Sequence, residues 1–213
     1  MTMDLALFDF DGTITTRETF ADFIRYAAPA SRTRAGAIAL SPMVVGYRLG
    51  WISGHRIRAA AIRVGLSGLR HAALEAHGRK FARDRIPSLL RPEMMARIDW
   101  HRGRGDHVCV VTGALDTYMQ PWCDAEGLDL LSSQLRIDEG RAAGRYLGAQ
   151  CVAAEKARRI GERFDLTAYR AVHAYGDTAE DFDMLRLAHY AQFRGHPWRD
   201  PETGRVSAVW GQA

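Results

Sequence analysis

Short apolar runs along the chain predict a series of buried strands. Residues 5–8 read Leu-Ala-Leu-Phe and carry no polar side chain, which is typical of a strand covered on both faces of a parallel sheet. The run 107–111 is also apolar and rich in β-branched residues, a composition that strands favour. Further strands are predicted on the same grounds at 130–137, 144–147, 169–175 and 190–193.

Between these runs, apolar residues recur at intervals of three and four, which predicts helices. Thr15-Thr16-Arg17-Glu18 fits a capping box that would begin the first helix. No convincing strand occurs from 31 to 103, and Pro92 is placed to open a helix there. We therefore expect a helical insertion of about 75 residues. Shorter helices are expected after Gly113 (ending near Gly127), over 153–164 and over 179–188.

Strands that alternate with helices predict an α/β fold with a doubly wound parallel sheet. In such folds ligands bind at the carboxyl ends of the strands. We expect two parts: a core domain made of residues 1–16 and 104–213, and an inserted α-helical domain over 17–103.

Residues 36–52 form the most apolar part of the insertion, although Pro42, Arg48 and several glycines interrupt the run. A membrane-spanning helix needs about 20 apolar residues. The pattern favours a pair of helices packed on each other. Contact of this segment with a membrane surface and a membrane span are the two alternatives. The large apolar side chains that raise the question are Met43, Val44, Val45, Tyr47, Leu49 and Trp51.

Length and composition bound the class of protein. The chain has 213 residues, of which 47% are hydrophobic and 25% charged, as in a globular domain with a buried core. Its three cysteines are odd in number and lack the spacing of a metal site, so we expect a reducing, cytoplasmic location. The first residues, Met-Thr-Met-Asp, do not resemble a signal peptide.

Almost all basic residues of the chain are arginines. A formal net charge of +4 indicates only a mild preference for anionic partners. Of the 29 basic residues, 27 are Arg and two are Lys, namely Lys80 and Lys156. A lysine is a compact point charge and does not replace the planar arginine at a crowded anion site. Lys156 is therefore a candidate functional residue.

Paired carboxylates follow the first strand. Asp9 and Asp11 come directly after residues 5–8, and Gly12-Thr13 then break the strand. Two carboxylates beside a buried strand end repel each other and are costly to desolvate. A hard divalent cation would relieve both costs. One carboxylate could then act as a nucleophile while the other carries a proton.

Four motifs, in order along the chain, identify a resemblance. Asp9-Phe10-Asp11-Gly12-Thr13, Val110-Val111-Thr112-Gly113, Lys156, and Gly176-Asp177-Thr178-Ala179-Glu180-Asp181 resemble the motifs of the haloacid dehalogenase superfamily of hydrolases. The branch most similar to this chain is subfamily IB, which includes phosphoserine phosphatase. That resemblance implies a Rossmann-like core with a helical type I (C1) cap inserted between the first two motifs.

The resemblance also implies a chemistry, the hydrolysis of phosphomonoesters. Asp9 would attack phosphorus and become an aspartyl-phosphate, while Asp11 would protonate the leaving group and then activate water. Thr112 and Gly113 would bind phosphoryl oxygens, and Lys156 would pair with the phosphate and with Asp9. Such chemistry needs mainly positioning and the neutralisation of phosphoryl charge.

A magnesium ion is the expected cofactor. The resemblance implies that Mg²⁺ is held by Asp9, the backbone carbonyl of Asp11, and Asp177. Asp181 would support the metal through water, or would simply cap a helix. Mg²⁺ prefers oxygen ligands in an octahedral shell.

The insertion would select the substrate. Glu18 matches an acidic residue that meets the substrate amine in phosphoserine phosphatases, and Arg58 or Arg63 could bind a substrate carboxylate. Glu18 could instead merely complete the capping box. Gly12, Thr112 and Glu180 depart from the common residues Ser, Ser and Asn of those enzymes, so the substrate stays open.

Three hypotheses follow. The first is a Mg²⁺-dependent phosphatase of a small phosphorylated metabolite, with phosphoserine as the leading example and no nucleic-acid partner. The second is a lipid-phosphate phosphatase, similar to phosphatidylglycerophosphatases, whose apolar cap contacts a membrane surface. The third is a non-catalytic phosphate-binding regulatory protein, although no motif residue is missing.

Overall fold

A computed structural model of the protein describes residues 3–208. Within these residues the strands are β1 (Leu5–Phe8), β2 (His107–Leu115), β3 (Asp129–Asp138), β4 (Arg141–Leu147), β5 (Val172–Gly176), β6 (Tyr190–Phe193) and β7 (His196–Pro197). They form one sheet in the order β4-β3-β2-β1-β5-β6-β7. The pairs along β3-β2-β1-β5-β6 are parallel, and the outer strands β4 and β7 are antiparallel. The predicted α/β fold with a mostly parallel sheet is confirmed.

Eight α-helices connect and cover these strands in the described part of the chain. They are α1 (Phe20–Ala27), α2 (Ala30–Arg48), α3 (Gly54–Leu66), α4 (His71–Asp84), α5 (Pro92–Gly103), α6 (Asp116–Glu126), α7 (Ala154–Arg163) and α8 (Phe182–Arg186). The segment between β1 and β2 is helical, as its spacing predicted. Pro92 does begin α5, and Gly127 ends α6 in the left-handed conformation that glycine favours.

Alternation along β1 distributes the core to both faces of the sheet. Ala6 and Phe8 pack into one hydrophobic cluster, which also takes side chains from the insertion. Leu5 and Leu7 pack into a second cluster beneath α7 and α8. All four side chains are fully buried. This double coverage explains why the β1 sequence is continuously apolar rather than alternating.

The insertion is anchored to the sheet rather than standing free of it. Phe23 of α1 packs edge to face with Phe81 of α4, and its ring also contacts Tyr118 of α6. These rings belong to the same cluster as Phe8. The glycine at position 78 lets α4 approach α6, because a Cβ there would lie 1.9 Å from the Thr117 carbonyl oxygen.

Helices α2 and α3 of the insertion pack on each other, which is the arrangement that the sequence pattern of residues 36–52 favoured. The only buried residues of α2 are Gly36 and Gly46, which face Val64 and Ile52. Neither α2 nor any other helix within residues 3–208 is both long enough and apolar enough to cross a bilayer.

Several elements differ from their predicted bounds, and two of these differences concern the motif residues. Strand β2 does not end at Thr112-Gly113 but continues to Leu115, because β3 pairs with it across a bulge between Thr112 and Leu115. The helix predicted over 179–188 is a 3₁₀ turn, Ala179–Asp181, followed by the short α8. The turn forms because Thr178 and Asp181 cap each other.

Candidate active site

The candidate site is a cleft of about 250 Å³ between the carboxyl edge of the sheet and the insertion. The core contributes carboxylates, a lysine and a threonine, and the insertion contributes an arginine, a glutamate and aromatic rings. The lining residues used below are Asp9, Asp11, Glu18, Tyr47, Arg58, Thr112, Gly113, Lys156, Glu180 and Asp181. Motifs far apart in the sequence thus meet because parallel strands end at one edge.

Lys156 lies at the centre of the charged cluster. The side chain, in the first turn of α7, is only 1% exposed. Its Nζ donates hydrogen bonds to Asp9 Oδ1 and to Asp181 Oδ1, both at 2.6 Å. Burial alone would lower the pKa of Lys156, but the Asp181 and Asp9 carboxylates outweigh that effect and raise the pKa above its ordinary value. The ammonium therefore stays charged and fixes both carboxylates.

Asp181 acts as a brace for the loop after β5. Its second oxygen, Oδ2, accepts hydrogen bonds from the backbone amides of Asp177 and Thr178, each at 3.0 Å. With Oδ1 on Lys156, both oxygens of this buried carboxylate have protein partners. Asp181 thus caps the turn with one carboxylate oxygen and holds Lys156 with the other.

Three carboxylate oxygens at this place lie close enough together to bind a metal ion. Asp9, Asp177 and Asp181 each offer a carboxylate oxygen within 4.8 Å of one another. The Thr13 hydroxyl donates to Asp177 Oδ1 at 3.1 Å and so orients that side chain. Gly12 has a φ of +84°, and a Cβ there would lie 2.3 Å from Asp177 Oδ2, so the turn requires glycine.

The charge of this cluster is not balanced by protein groups. Burial and the neighbouring Asp181 carboxylate raise the pKa of Asp9 well above its ordinary value, and the same causes raise the pKa of Asp177. The ammonium of Lys156 lies at hydrogen-bond distance from Asp9 and Asp181, and the hydrogen bond to the Asp177 carboxylate comes from the neutral Thr13 hydroxyl. An all-oxygen donor set with excess negative charge fits Mg²⁺.

Asp11 is held apart from the lysine by partners that the sequence did not reveal. Its Oδ1 accepts the Thr19 amide at 2.8 Å and the Thr19 hydroxyl at 2.6 Å. That hydroxyl lies 2.9 Å from the Tyr118 hydroxyl. Burial raises the pKa of Asp11 to about 7, against the opposing effect of the Thr19 hydrogen bonds. A carboxyl with this pKa can give and take a proton near neutral pH.

The capping box predicted at Thr15–Glu18 is wrong. Helix α1 begins at Phe20, after Thr19. The Thr15 hydroxyl donates to the carbonyls of Phe10 and Arg17, at 3.2 and 2.8 Å. These bonds close the turn that follows β1 instead of capping a helix. Glu18 is thereby left at the rim of the cleft, where burial by the cleft walls raises its pKa.

Of the two arginines considered for a substrate carboxylate, the cleft contains Arg58. Its Nη2 lies 2.7 and 2.9 Å from the two carboxylate oxygens of Glu180, and its Nε donates to Gln150 Oε1 at 3.2 Å. Gln150 in turn donates to the His55 carbonyl at 2.9 Å. Arg63 is exposed and is not among the residues that line the cleft.

Thr112 and Gly113 lie at the bulge of β2. Thr112 is 1% exposed, and its hydroxyl oxygen accepts the Ala114 amide at 3.1 Å. The hydroxyl hydrogen is therefore available to a ligand. A Cβ at position 113 would lie 2.8 Å from a Val152 methyl, so the wall of the cleft is tightly packed there.

Comparison with known proteins identifies the family of this chain. A family model described as haloacid dehalogenase-like hydrolase matches residues 6–186. The chain belongs to the haloacid dehalogenase-like hydrolases. The expected family and the hydrolase class are thus confirmed. The chain is also 37% identical to protein CicA of Caulobacter vibrioides over 198 residues, which cover 91% of this chain and 88% of CicA.

Several solved structures share the fold of this chain. A protein of unknown function from Bordetella pertussis Tohama I has a TM-score of 0.78 and 22% identity, covering 90% of this chain and 89% of its own. A substrate-bound phosphoserine phosphatase has a TM-score of 0.65 and 19% identity, covering 91% of this chain and 86% of its own. At these identities the likeness concerns the fold.

Proposed function

We propose that this hydrolase is a Mg²⁺-dependent phosphatase that cleaves phosphomonoesters through a phosphorylated Asp9. The observation that carries the proposal is the pairing of Asp9 with a fully buried, charged Lys156 at 2.6 Å, beside a second carboxylate, Asp11, whose pKa lies near 7. Lys156 orients the Asp9 carboxylate and opposes the rise of its pKa, and Asp11 is suited to proton transfer.

The first half-reaction forms one bond and breaks one. An oxygen of Asp9 attacks phosphorus, and the bond from phosphorus to the leaving oxygen breaks. Asp11 gives its proton to that oxygen, so the leaving group departs as a neutral alcohol. Lys156, Thr112 and the Gly113 amide bind the phosphoryl oxygens as fixed donors. Mg²⁺, held by Asp9, Asp177 and the Asp11 carbonyl, would neutralise phosphoryl charge.

The second half-reaction restores the enzyme. Asp11, now ionised, takes a proton from a water molecule as that water attacks phosphorus, and the bond between Asp9 and phosphorus breaks. Inorganic phosphate leaves, and Asp11 is again protonated. Asp181 takes no part in bond making; it keeps Lys156 and the Asp177 loop in place. Residues 17–103 act as the cap that encloses these steps.

A small phosphorylated metabolite suits the volume of the cleft, and phosphoserine remains the leading example. Glu18 at the rim is placed to meet a substrate amine. A substrate carboxylate would share Arg58 with Glu180 or displace it. The third hypothesis, a non-catalytic phosphate-binding protein, has less support, since Asp9, Asp11 and Lys156 line one cleft with Thr112 and Gly113.

The test of the reaction is phosphate release from p-nitrophenyl phosphate, with and without Mg²⁺. We expect release that depends on Mg²⁺ and is abolished in Asp9→Asn, which removes the nucleophile and keeps the shape. Wild-type protein that releases no phosphate with Mg²⁺ would contradict the proposal and favour a phosphate-binding regulatory role.

The test of the substrate compares phosphoserine with phosphoethanolamine, which keeps the amine and lacks the carboxylate. Arg58→Gln should raise KM for phosphoserine and leave KM for phosphoethanolamine unchanged. Arg63→Gln is the matched control, since Arg63 lies on the same helix and outside the cleft lining. Equal effects of Arg58→Gln on both substrates would contradict the carboxylate role of Arg58.

A further inference from the structure

Exposed hydrophobic side chains are concentrated at one end of the insertion. Within residues 3–208, eight large hydrophobic side chains are exposed, and five of them belong to residues 38–51. These five, which we call the apolar tip, are Ile38, Val45, Tyr47, Leu49 and Trp51. Ile38 and Trp51 are 77% and 79% exposed. Scattered exposed hydrophobics need no explanation, but a contiguous group indicates an interaction surface.

The spacing of three residues of the tip, Ile38, Val45 and Leu49, places their side chains on one face of α2. Ile38 and Val45 are seven residues apart on α2, and Leu49 follows four residues after Val45. Residues at these intervals lie on the same face of a helix. Gly36 and Gly46 lie on the opposite side, against Val64 and Ile52 of the neighbouring segment. The apolar face is thus the one that α3 does not cover.

The segment of the chain that carries the tip has charged residues of one sign. Residues 23–74 contain eight arginines and no aspartate or glutamate, whereas the rest of the chain holds 21 basic and 25 acidic residues. Arg34, Arg48 and Arg56 are exposed close to the tip in sequence. A surface that combines exposed aliphatic and aromatic side chains with arginines, without acidic residues, matches the boundary of an anionic bilayer.

The tip adjoins the catalytic cleft. Tyr47 is 46% exposed as part of the tip and also lines the cleft, together with Arg58 of α3. A flat surface that covers the tip would therefore lie beside the mouth of the cleft. Aliphatic side chains such as Ile38 and Val45 suit acyl chains better than the bases or phosphates of a nucleic acid.

We propose that the apolar tip docks on an anionic phospholipid membrane surface. The side chains of the tip enter the headgroup boundary, and the surrounding arginines bind anionic headgroups. The helices lie at the surface and do not cross the bilayer. Docking of this kind is independent of the hydrolysis proposed above, so a binding measurement can test it whether or not the protein proves to be a phosphatase.

The experiment is co-sedimentation of the full chain with vesicles of phosphatidylcholine alone or mixed with phosphatidylglycerol. We expect binding to the mixed vesicles that weakens with added salt, and little binding to the neutral vesicles. Trp51→Ser and Val45→Ser should each weaken binding several-fold, since both remove apolar surface from the boundary. Arg34→Gln should weaken it about fivefold, the loss expected for one arginine near an anionic surface.

Matched controls come from the far end of the chain. Val206 is 51% exposed, compared with 55% for Val45, and Arg205 is exposed like Arg34. Val206→Ser and Arg205→Gln should bind like wild type, and thermal melting should show that all variants are folded. Failure of wild type to bind the mixed vesicles at low salt would overturn the proposal.

A general affinity for polyanions is the remaining competitor. It predicts that a single-stranded oligonucleotide binds as well as the vesicles, and that Trp51→Ser and Val45→Ser have no effect while Arg34→Gln does. That pattern would overturn the membrane proposal. Equal loss in Val45→Ser and Val206→Ser would overturn it as well.

Discussion

Replacing Lys156 with methionine removes the single ammonium at hydrogen-bond distance from two buried carboxylates. Methionine has a similar length and no charge, so packing changes little while Asp9 and Asp181 lose a partner at 2.6 Å. Removing one member of a buried ion pair typically costs about 3–5 kcal/mol, because the other charge remains buried and uncompensated. We therefore expect Lys156→Met to lower the free energy of unfolding by about 3–5 kcal/mol at pH 8 without metal.

The loss should depend on pH in a definite direction. Burial and the neighbouring carboxylates already raise the pKa of Asp9 in the folded state, and without the Lys156 ammonium that pKa rises further above the unfolded value of about 3.9. A carboxyl whose pKa is raised by folding favours the folded state at low pH, and that contribution is lost as pH rises through the folded pKa. The cost of Lys156→Met should thus be large at pH 8 and small at pH 5.

The assay is chemical denaturation followed by circular dichroism, at both pH values and with or without Mg²⁺. Lys80→Met is the matched control, because Lys80 is the other lysine and its side chain is 58% exposed. It should change the unfolding free energy by less than about 0.5 kcal/mol. The same destabilisation by Lys156→Met at pH 5 and pH 8, or an equal effect of Lys80→Met, would refute this electrostatic reasoning.

Three further predictions concern turnover. Asp11→Asn should lower kcat for phosphate release by about 10²–10⁴-fold, and an unchanged kcat would contradict its role in proton transfer. Since Asp11 must be protonated to aid the leaving group, activity should fall as pH rises above about 7. Thr19→Val removes a hydrogen-bond donor to the ionised form of Asp11, so the fall in activity should move to higher pH. An unchanged pH profile would show that this hydrogen bond does not set the pKa of Asp11. Replacing Mg²⁺ with Ca²⁺ should inhibit turnover, because calcium has a larger and looser coordination shell; equal activity with both ions would count against the proposed ligands.

The strands and the motif positions were predictable because each is determined by residues that are adjacent in the sequence. The apolar run of β1 consists of consecutive residues, and Asp9 follows directly after it. The rarity of lysine singled out Lys156 before its contacts were known. The strands predicted at 130–137 and 144–147 are likewise present, as β3 and β4.

What the sequence did not predict rests on contacts between distant residues. Arg58 and Glu180 are 122 positions apart, and Thr19 and Tyr118 are 99 apart. No local pattern records such pairs. The wrong capping box at Thr15 has the same origin, since the hydroxyl that fits the motif is taken by the carbonyls of the turn after β1.

The most direct test of the account is to trap the phosphorylated enzyme and find which residue carries the phosphate. The protein would be mixed with labelled phosphomonoester and Mg²⁺, quenched in acid within milliseconds, digested and sequenced by mass spectrometry. The account predicts label on the peptide that contains Asp9 and none in Asp9→Asn. Turnover without any label on that peptide, or label that persists in Asp9→Asn, would contradict it.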